Sequence, residues 1–264
     1  MARRQLKKVD PHVDLSRWLR TVDQLPELLS SETLFGNKRP LEIEVGSGKG
    51  LFIERITGER PEHNFLGIEI AAKYAAAAAS RLAKQQRTNG MIISGDAEPL
   101  FKTSIPEHSL AAVHVYFPDP WWKAKHKRRR VLNESFIDNV ARCLQPDGRF
   151  HFWTDVLDYF ESTLELLAKR VPEWGPPLPE AANEATHDLD YRTHFERRSR
   201  QHAIPVYRVR YELSSQTYFP PADGTTARGK LRKAGASPGY RRSEGGGGGV
   251  GAGRSAASNR DCCE

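Results

Sequence analysis

What this chain has little of narrows its function first. Its 264 residues include three cysteines, Cys143, Cys262 and Cys263. An odd count, with two adjacent at the extreme tail, gives neither a disulfide framework nor a metal-ligand spacing. No metal is expected, and a reducing cytoplasm is the expected compartment. No stretch approaches the roughly 20 apolar residues that span a bilayer. The opening MARRQLKKVDPH has basic residues without the apolar run of a secretory signal, so no membrane partner is expected. A large excess of one charge is missing too. Of the formal net charge of +7, the residues from Ala222 onward contribute +4, eight Lys or Arg against four Asp or Glu. The first 221 residues carry only +3, so local clustering has to make any argument for nucleic acid.

What is present is a repeating pattern. Residues 1–40 form a polar N-terminal extension, with a short helix expected around Leu15 to Leu29. Leu41 to Val45 then reads as a strand, followed by a glycine-rich loop and a helix to about Thr57. Phe65 to Ile70 is a second strand, and the alanine-rich Ala71 to Arg87 favours helix. Met91 to Ser94 is a third strand. Leu110 to Phe117, the longest apolar run, is the candidate for a central strand buried on both faces. Val131 to Leu144 has helical periodicity and stops at Gln145-Pro146-Asp147-Gly148. Arg149 to Thr154 is a fifth strand and Val156 to Arg170 a further helix. Tyr191 to Gln201 reads as a helix, and Pro205 to Leu213 as a last strand. Strands alternating with helices predict an α/β fold with a mostly parallel sheet and right-handed crossovers. The domain is expected to span 41–221. From 222 to 264 the composition turns to Gly, Ser, Ala, Lys and Arg, and a disordered tail is expected.

Two segments carry chemistry. Glu44-Val45-Gly46-Ser47-Gly48-Lys49-Gly50 joins the first strand to its helix. Its glycines let backbone approach a ligand at the carboxyl end of the sheet, where open α/β folds bind cofactors. Lys49 is followed by Gly50 and not by Ser or Thr, which disfavours a nucleoside triphosphate. The G-x-G-x-G spacing also departs from the dinucleotide fingerprint. S-adenosylmethionine fits better, with Glu44 placed toward its ammonium. Glu69, 19 residues after Gly50, can accept both ribose hydroxyls, and Asp96 can accept from the adenine amino group. The plainer alternatives are a tight turn, a solvated strand-end acid and a turn-forming aspartate.

The second segment is Val115-Tyr116-Phe117-Pro118-Asp119-Pro120-Trp121-Trp122, followed by Lys123 to Arg130, eight residues that include six Lys or Arg. Two prolines stiffen the backbone around Asp119. Aromatic rings beside a cationic run are suited to an unpaired base and its phosphates. The alternative is that the tryptophans are core and the run is a solvated helix start. A second arginine-rich stretch, Arg192 to Arg210, is expected to form the other lip of an RNA cleft.

This segment closely resembles the signature of the bacterial, single-chain tRNA (guanine-N7)-methyltransferases. Leu41 to Gly50 resembles their cofactor loop, Phe65 to Glu69 their second strand, and Thr154-Asp155 a further substrate motif. Thr193-His194-Phe195-Glu196 is similar to their T-x-F-E pattern. The resemblance runs from about Phe35 to Leu213, with Trp122 and the tail outside it. It implies a Rossmann-like class I methyltransferase with helices on both sheet faces. It also implies methyl transfer from S-adenosylmethionine to guanosine 46 in the tRNA variable loop. Glu44, Gly46, Gly48, Gly50, Glu69, Asp96 and Asp119 would then face the cofactor, with Asp119 also catalytic. Lys123, Asp155, Thr193, His194, Phe195 and Glu196 would bind substrate. Lys125, Lys127, Arg128, Arg129 and Arg130 are expected to contact RNA. A monomer or homodimer without an obligatory protein partner is expected. Two other readings stay open at this point: a methyltransferase for a protein or small molecule, and an RNA-binding module with a relic pocket.

Overall fold

The computed structural model describes residues 9–121, 124–180 and 193–213, the side chains of residues 124, 127, 194, 197 and 200 excepted. The tail expected to be disordered, together with Trp122, Lys123 and Arg192, lies outside the described residues. In chain order the elements are β1 (Leu19–Thr21), α1 (Ser31–Phe35), β2 (Leu41–Val45), α2 (Leu51–Glu59), β3 (Asn64–Glu69), α3 (Ala72–Lys84) and β4 (Gly90–Ser94). Then follow α4 (Ala97–Thr103), β5 (Leu110–Tyr116), α5 (Glu134–Cys143), β6 (Leu144–Thr154), α6 (Leu157–Arg170), β7 (Leu178–Pro179), α7 (His194–Gln201) and β8 (Tyr207–Glu212).

The strands form one sheet in the order β1-β4-β3-β2-β5-β6-β8-β7. The pairs from β1 to β6 are parallel, while β8 runs antiparallel to β6 and β7 antiparallel to β8. Two separate apolar clusters lie on the two faces. On one, Phe52 and Ile53 of α2 and Ala75, Ala78, Ala79 and Leu82 of α3 pack with Phe65, Ile92, Tyr116 and Trp153. On the other, α4, α5 and α6 bring Leu100, Phe101, Phe136, Ile137, Val140 and Leu167 against Ile43, Val113, Val115, Phe150 and Phe152. Alternate residues of each strand therefore feed opposite cores, the arrangement a doubly covered sheet requires. The Leu110 to Phe117 run takes the central place expected of it, between β2 and β6.

One expectation is corrected. The helix expected around Leu15 to Leu29 is absent. Leu19–Thr21 instead extends the sheet beyond β4, anchored by the buried Trp18, whose indole donates to the Arg87 carbonyl at 2.6 Å. Three residues have too little local preference to specify their own state, and pairing with β4 decides it. The expected last helix is also shorter, beginning at His194, where Thr193 accepts from the Glu196 amide at 3.0 Å. Asn133 likewise caps α5, accepting from the Phe136 amide at 2.9 Å, so that helix begins at Glu134 and not at Val131.

Chain direction reverses at β2. The chain runs outward from β2 to β3 and β4, then returns to β5 on the other side of β2. Open α/β sheets bind ligands outside the strand carboxyl ends at such a switch point.

Candidate active site

β2 and β5 lie side by side with Val45 opposite Val115. The loop after Val45 and the segment after Val115 therefore leave the sheet at the same level. This one pairing brings the glycine loop beside the Phe117-Pro118-Asp119-Pro120-Trp121 turn. Glu69 ends β3 opposite Ser94, and β6 places Trp153 opposite Tyr116. Asp96 and Asp155 follow those strands, so both emerge at the same edge of the sheet.

The loop needs its glycines for different reasons. Gly46, Gly48 and Gly50 all have positive φ, 77°, 53° and 73°. A Cβ on Gly46 would meet nothing within 4 Å, which leaves its backbone open to a ligand. A Cβ on Gly50 would lie 2.5 Å from that of Ala78, so the start of α2 packs directly on α3. Glu69 holds the loop in place. Its carboxylate accepts from the Gly48 amide at 2.7 Å and from the Ala71 amide at 2.8 Å.

Two glutamates on the same face of β2 illustrate how surroundings set charge. Glu42 accepts from Arg60 and His63 at 2.7 Å and His114 at 2.8 Å. Burial alone would raise its carboxyl, but the hydrogen bond and charge of His114, with Arg60 and His63, hold it down at about 2. Glu44, two residues on, is 4% exposed, and its Oε2 has no hydrogen-bond partner among the described residues. Burial, reinforced by the charge of Glu69, pushes it up to about 8. A buried carboxyl with an unmatched oxygen costs free energy unless a ligand completes it, and a cation is the suitable complement.

The Asp119 turn is strained on both sides. Phe117 and Trp121 have positive φ, 49° and 45°, a region that bulky side chains rarely adopt. Such backbone costs about 1–3 kcal/mol per residue and persists only where surrounding contacts hold it. On one side the Phe117 amide donates to the Trp153 carbonyl at 2.7 Å. Asp119 itself is exposed at the tip.

The other expected residues divide into outward and inward groups. Lys125, Arg128 and Arg129 are exposed, and Arg129 lies over the Trp121 ring at 5.1 Å. Phe195, 52% exposed, stacks on Phe117 at 5.9 Å between centroids. Asp155 is half-buried, and Asp96 is exposed and caps α4 through the Glu98 amide at 3.0 Å. Thr193 and Glu196 turn inward. Thr193 caps α7, and buried Glu196 pairs with Arg208 at 3.2 Å, itself over the Trp153 ring at 4.9 Å. They fix the helix that presents Phe195. Arg208 is thereby part of the interior and not of an outer lip. Arg130 also departs from the expectation for its run. It is buried, with its guanidinium bonded inside the protein. Lys123 lies outside the described residues, as do the side chains of Lys127 and His194. One residue escapes a reading of the sequence: Ile70, an apolar side chain 73% exposed directly after Glu69, where a flat ligand surface can cover it. Its signal is an apolar residue directly after the glutamate that ends a strand at the carboxyl edge of the sheet.

Comparison with known proteins places the chain in a family. A family described as "Putative methyltransferase" matches residues 38–209. A curated tRNA (guanine-N(7)-)-methyltransferase of Rhodopirellula baltica is 59% identical over 220 residues, 81% of each chain. The chain belongs to the tRNA (guanine-N7)-methyltransferase family. A second relative of that name, from Hydrogenovibrio crunogenus, is 35% identical over 188 residues, 70% of this chain and 77% of its own. The sheet, mostly parallel and covered by helices on both faces, is the α/β architecture expected from the sequence. No helix among the described residues is long and apolar enough to cross a membrane.

Proposed function

We propose that this chain methylates N7 of a guanine in tRNA, with S-adenosylmethionine as donor, and that guanosine 46 of the variable loop is the target. The observation that carries this reading is the pairing of Val45 with Val115, which sets the cofactor loop beside the Asp119 turn and its cationic flank. The residues at the loop suit the donor. Glu44 has the unmatched buried oxygen that an ammonium group would complete, Glu69 lies at the end of β3 for the ribose, and Ile70 offers apolar surface. When bound there, S-adenosylmethionine supplies an electrophilic methyl group on a cationic sulfur.

The chain's own residues then have a limited task. Guanine N7 has a lone pair and no proton to lose, so no strong general base is required. The purine gains positive charge as it is methylated, and alignment with electrostatic preorganisation is what the protein contributes. An ionised Asp119 accepts from the guanine N1 and N2 hydrogens, orients the base and favours its developing charge. Phe195 stacks on a base, backed by Phe117. Lys125, Arg128 and Arg129 hold phosphates. Asp155 and Lys123 complete the substrate set, while Thr193 and Glu196 serve it by fixing α7. The test is a methyl-acceptor assay with total tRNA, followed by nucleoside analysis. Formation of 7-methylguanosine at position 46 supports the reading, and methylation of protein or small molecules in its place overturns it.

A further inference from the structure

Arg130 closes a loop at its base. Its Nε donates to the Pro120 carbonyl at 2.8 Å, one residue from Asp119. Its other nitrogens donate to Ser162 Oγ at 3.1 Å and Asp158 Oδ2 at 3.0 Å, and its guanidinium lies 4.2 Å above the Tyr159 ring. Those three partners sit on α6, which is anchored in the core by Tyr159, Thr163 and Leu167. The segment between Pro120 and Arg130 contains the exposed Lys125, Arg128 and Arg129. The end of the cationic loop is therefore fastened to the strained turn where the loop begins, and both are fastened to a rigid helix.

The strain argues that this fastening is needed. The Phe117 side of the turn is held by the Trp153 carbonyl and the Phe195 ring. Toward Trp121, contacts among the described residues include Arg130 on Pro120, Arg129 over the indole and the His126 ring at 6.0 Å from it. Arg129 is exposed, whereas the Arg130 side chain is 9% exposed and held at four points. Burial pushes the Tyr159 hydroxyl up to about 12. A guanidinium stays charged at any working pH and its planar fork matches this set of acceptors, which an ammonium cannot reproduce.

We infer that Arg130 is a positioning residue that locks the Phe117–Trp121 turn, and so Asp119, to α6, and that it couples the phosphate-holding loop to the reacting base. The inference rests on the functional reading above. It separates Arg130 from its neighbours in the run, because its charge is spent inside the protein and not on RNA.

The experiment compares Arg130→Lys, Asp158→Ala and the double substitution Lys125→Gln/Arg128→Gln in the full chain, with tRNA as substrate and well below each variant's Tm. Arg130→Lys keeps the charge and loses the fork, so kcat is expected to fall on the order of 100-fold, the usual result of misplacing a reacting group by about 1 Å. KM for tRNA and the salt dependence of tRNA binding are expected to stay at wild-type values. Asp158→Ala removes one anchor from an exposed position and is expected to lower kcat severalfold with the same KM pattern. It decides the matter if Arg130→Lys does not fold. Wild-type kcat in the folded variants, with only Tm reduced, overturns the inference. So does a flattened salt dependence in Arg130→Lys like that of the double substitution, which would return Arg130 to the RNA contacts. Failure of wild-type protein to methylate tRNA would sink the functional reading instead, and the two failures are distinct.

Discussion

The amide of Gly48 donates to the carboxylate of Glu69 across 2.7 Å, tying the glycine loop to the end of β3. Glu69 has lone pairs beyond those used by Gly48 and Ala71, so one side chain can shape the loop and receive the ribose. Glu69→Ala should weaken binding of S-adenosylhomocysteine by about 1.5–3 kcal/mol, the cost of losing hydrogen bonds to a charged acceptor. The affinity for tRNA should not change. Calorimetry decides, and an unaltered dissociation constant for the nucleoside ligand would remove Glu69 from the cofactor site.

Glu44 should make the ligand-free protein less stable as pH rises. Its folded-state carboxyl titrates near 8, against 4.5 for the ordinary group. Below 4.5 it is neutral in both states. Between 4.5 and 8 the unfolded chain has released the proton that the folded chain keeps, so stability falls with pH at up to roughly 1.4 kcal/mol per unit. Glu44→Gln should match wild type near pH 4.5, exceed it increasingly toward pH 8, and bind the cationic cofactor more weakly. Denaturant melts across that range test this, and a constant difference between the two proteins would contradict it.

Asp119→Ala should abolish methyl transfer while leaving the fold intact, because an exposed carboxylate at a loop tip adds little to the core. Asp119→Asn should retain part of the activity, since its amide oxygen still accepts one hydrogen bond. Turnover by Asp119→Ala at the wild-type rate would exclude this residue from the mechanism.

Net charge should be a poor guide to RNA affinity in this protein. Deleting 222–264 removes +4, yet should leave activity near wild type and cost at most some non-specific affinity. Lys125→Gln with Arg128→Gln removes only +2. It should weaken tRNA binding and flatten its log–log salt dependence by roughly 0.7 to 0.9 for each phosphate no longer neutralised. The composition of 222–264 predicts a chain that would lose conformational entropy on meeting phosphates, whereas Lys125 and Arg128 stand on a formed helical turn. If the deletion changes the slope more than the double substitution, the main RNA-binding charges lie in the tail.

Much of the architecture is legible in the sequence, because alternating apolar segments and a glycine loop are local signals. The parallel sheet, the central place of Leu110 to Tyr116 and the emergence of the Gly46 loop and the Asp119 turn from neighbouring strands all follow from them. What escapes is set by distant partners. Leu19–Thr21 is a strand only because β4 lies beside it. α4 is masked by Pro99, which its first turn tolerates because that amide has no helical partner to lose. The Glu42 cluster draws on Arg60, His63 and His114, and no spacing announces it. Within Lys123 to Arg130, nothing in the order of charges marks Arg130 as turning inward. Its meaning depends on Pro120 and on α6, ten residues behind it and about thirty ahead.

β1 has a further consequence for the behaviour of shortened chains. The Ile92 amide donates to the Trp18 carbonyl at 2.8 Å, and Leu19–Thr21 pairs with Ile92–Ser94. The family model matches from residue 38, which invites trimming to that point. A chain so trimmed would keep the glycine loop and the Asp119 turn but leave the outer side of β4 open, an unpaired backbone row beside Ile92 and Ile93. Such an edge templates the edge of another molecule. The first consequence of losing residues 1–37 would therefore be aggregation through the sheet, appearing as poor solubility before any defect in catalysis.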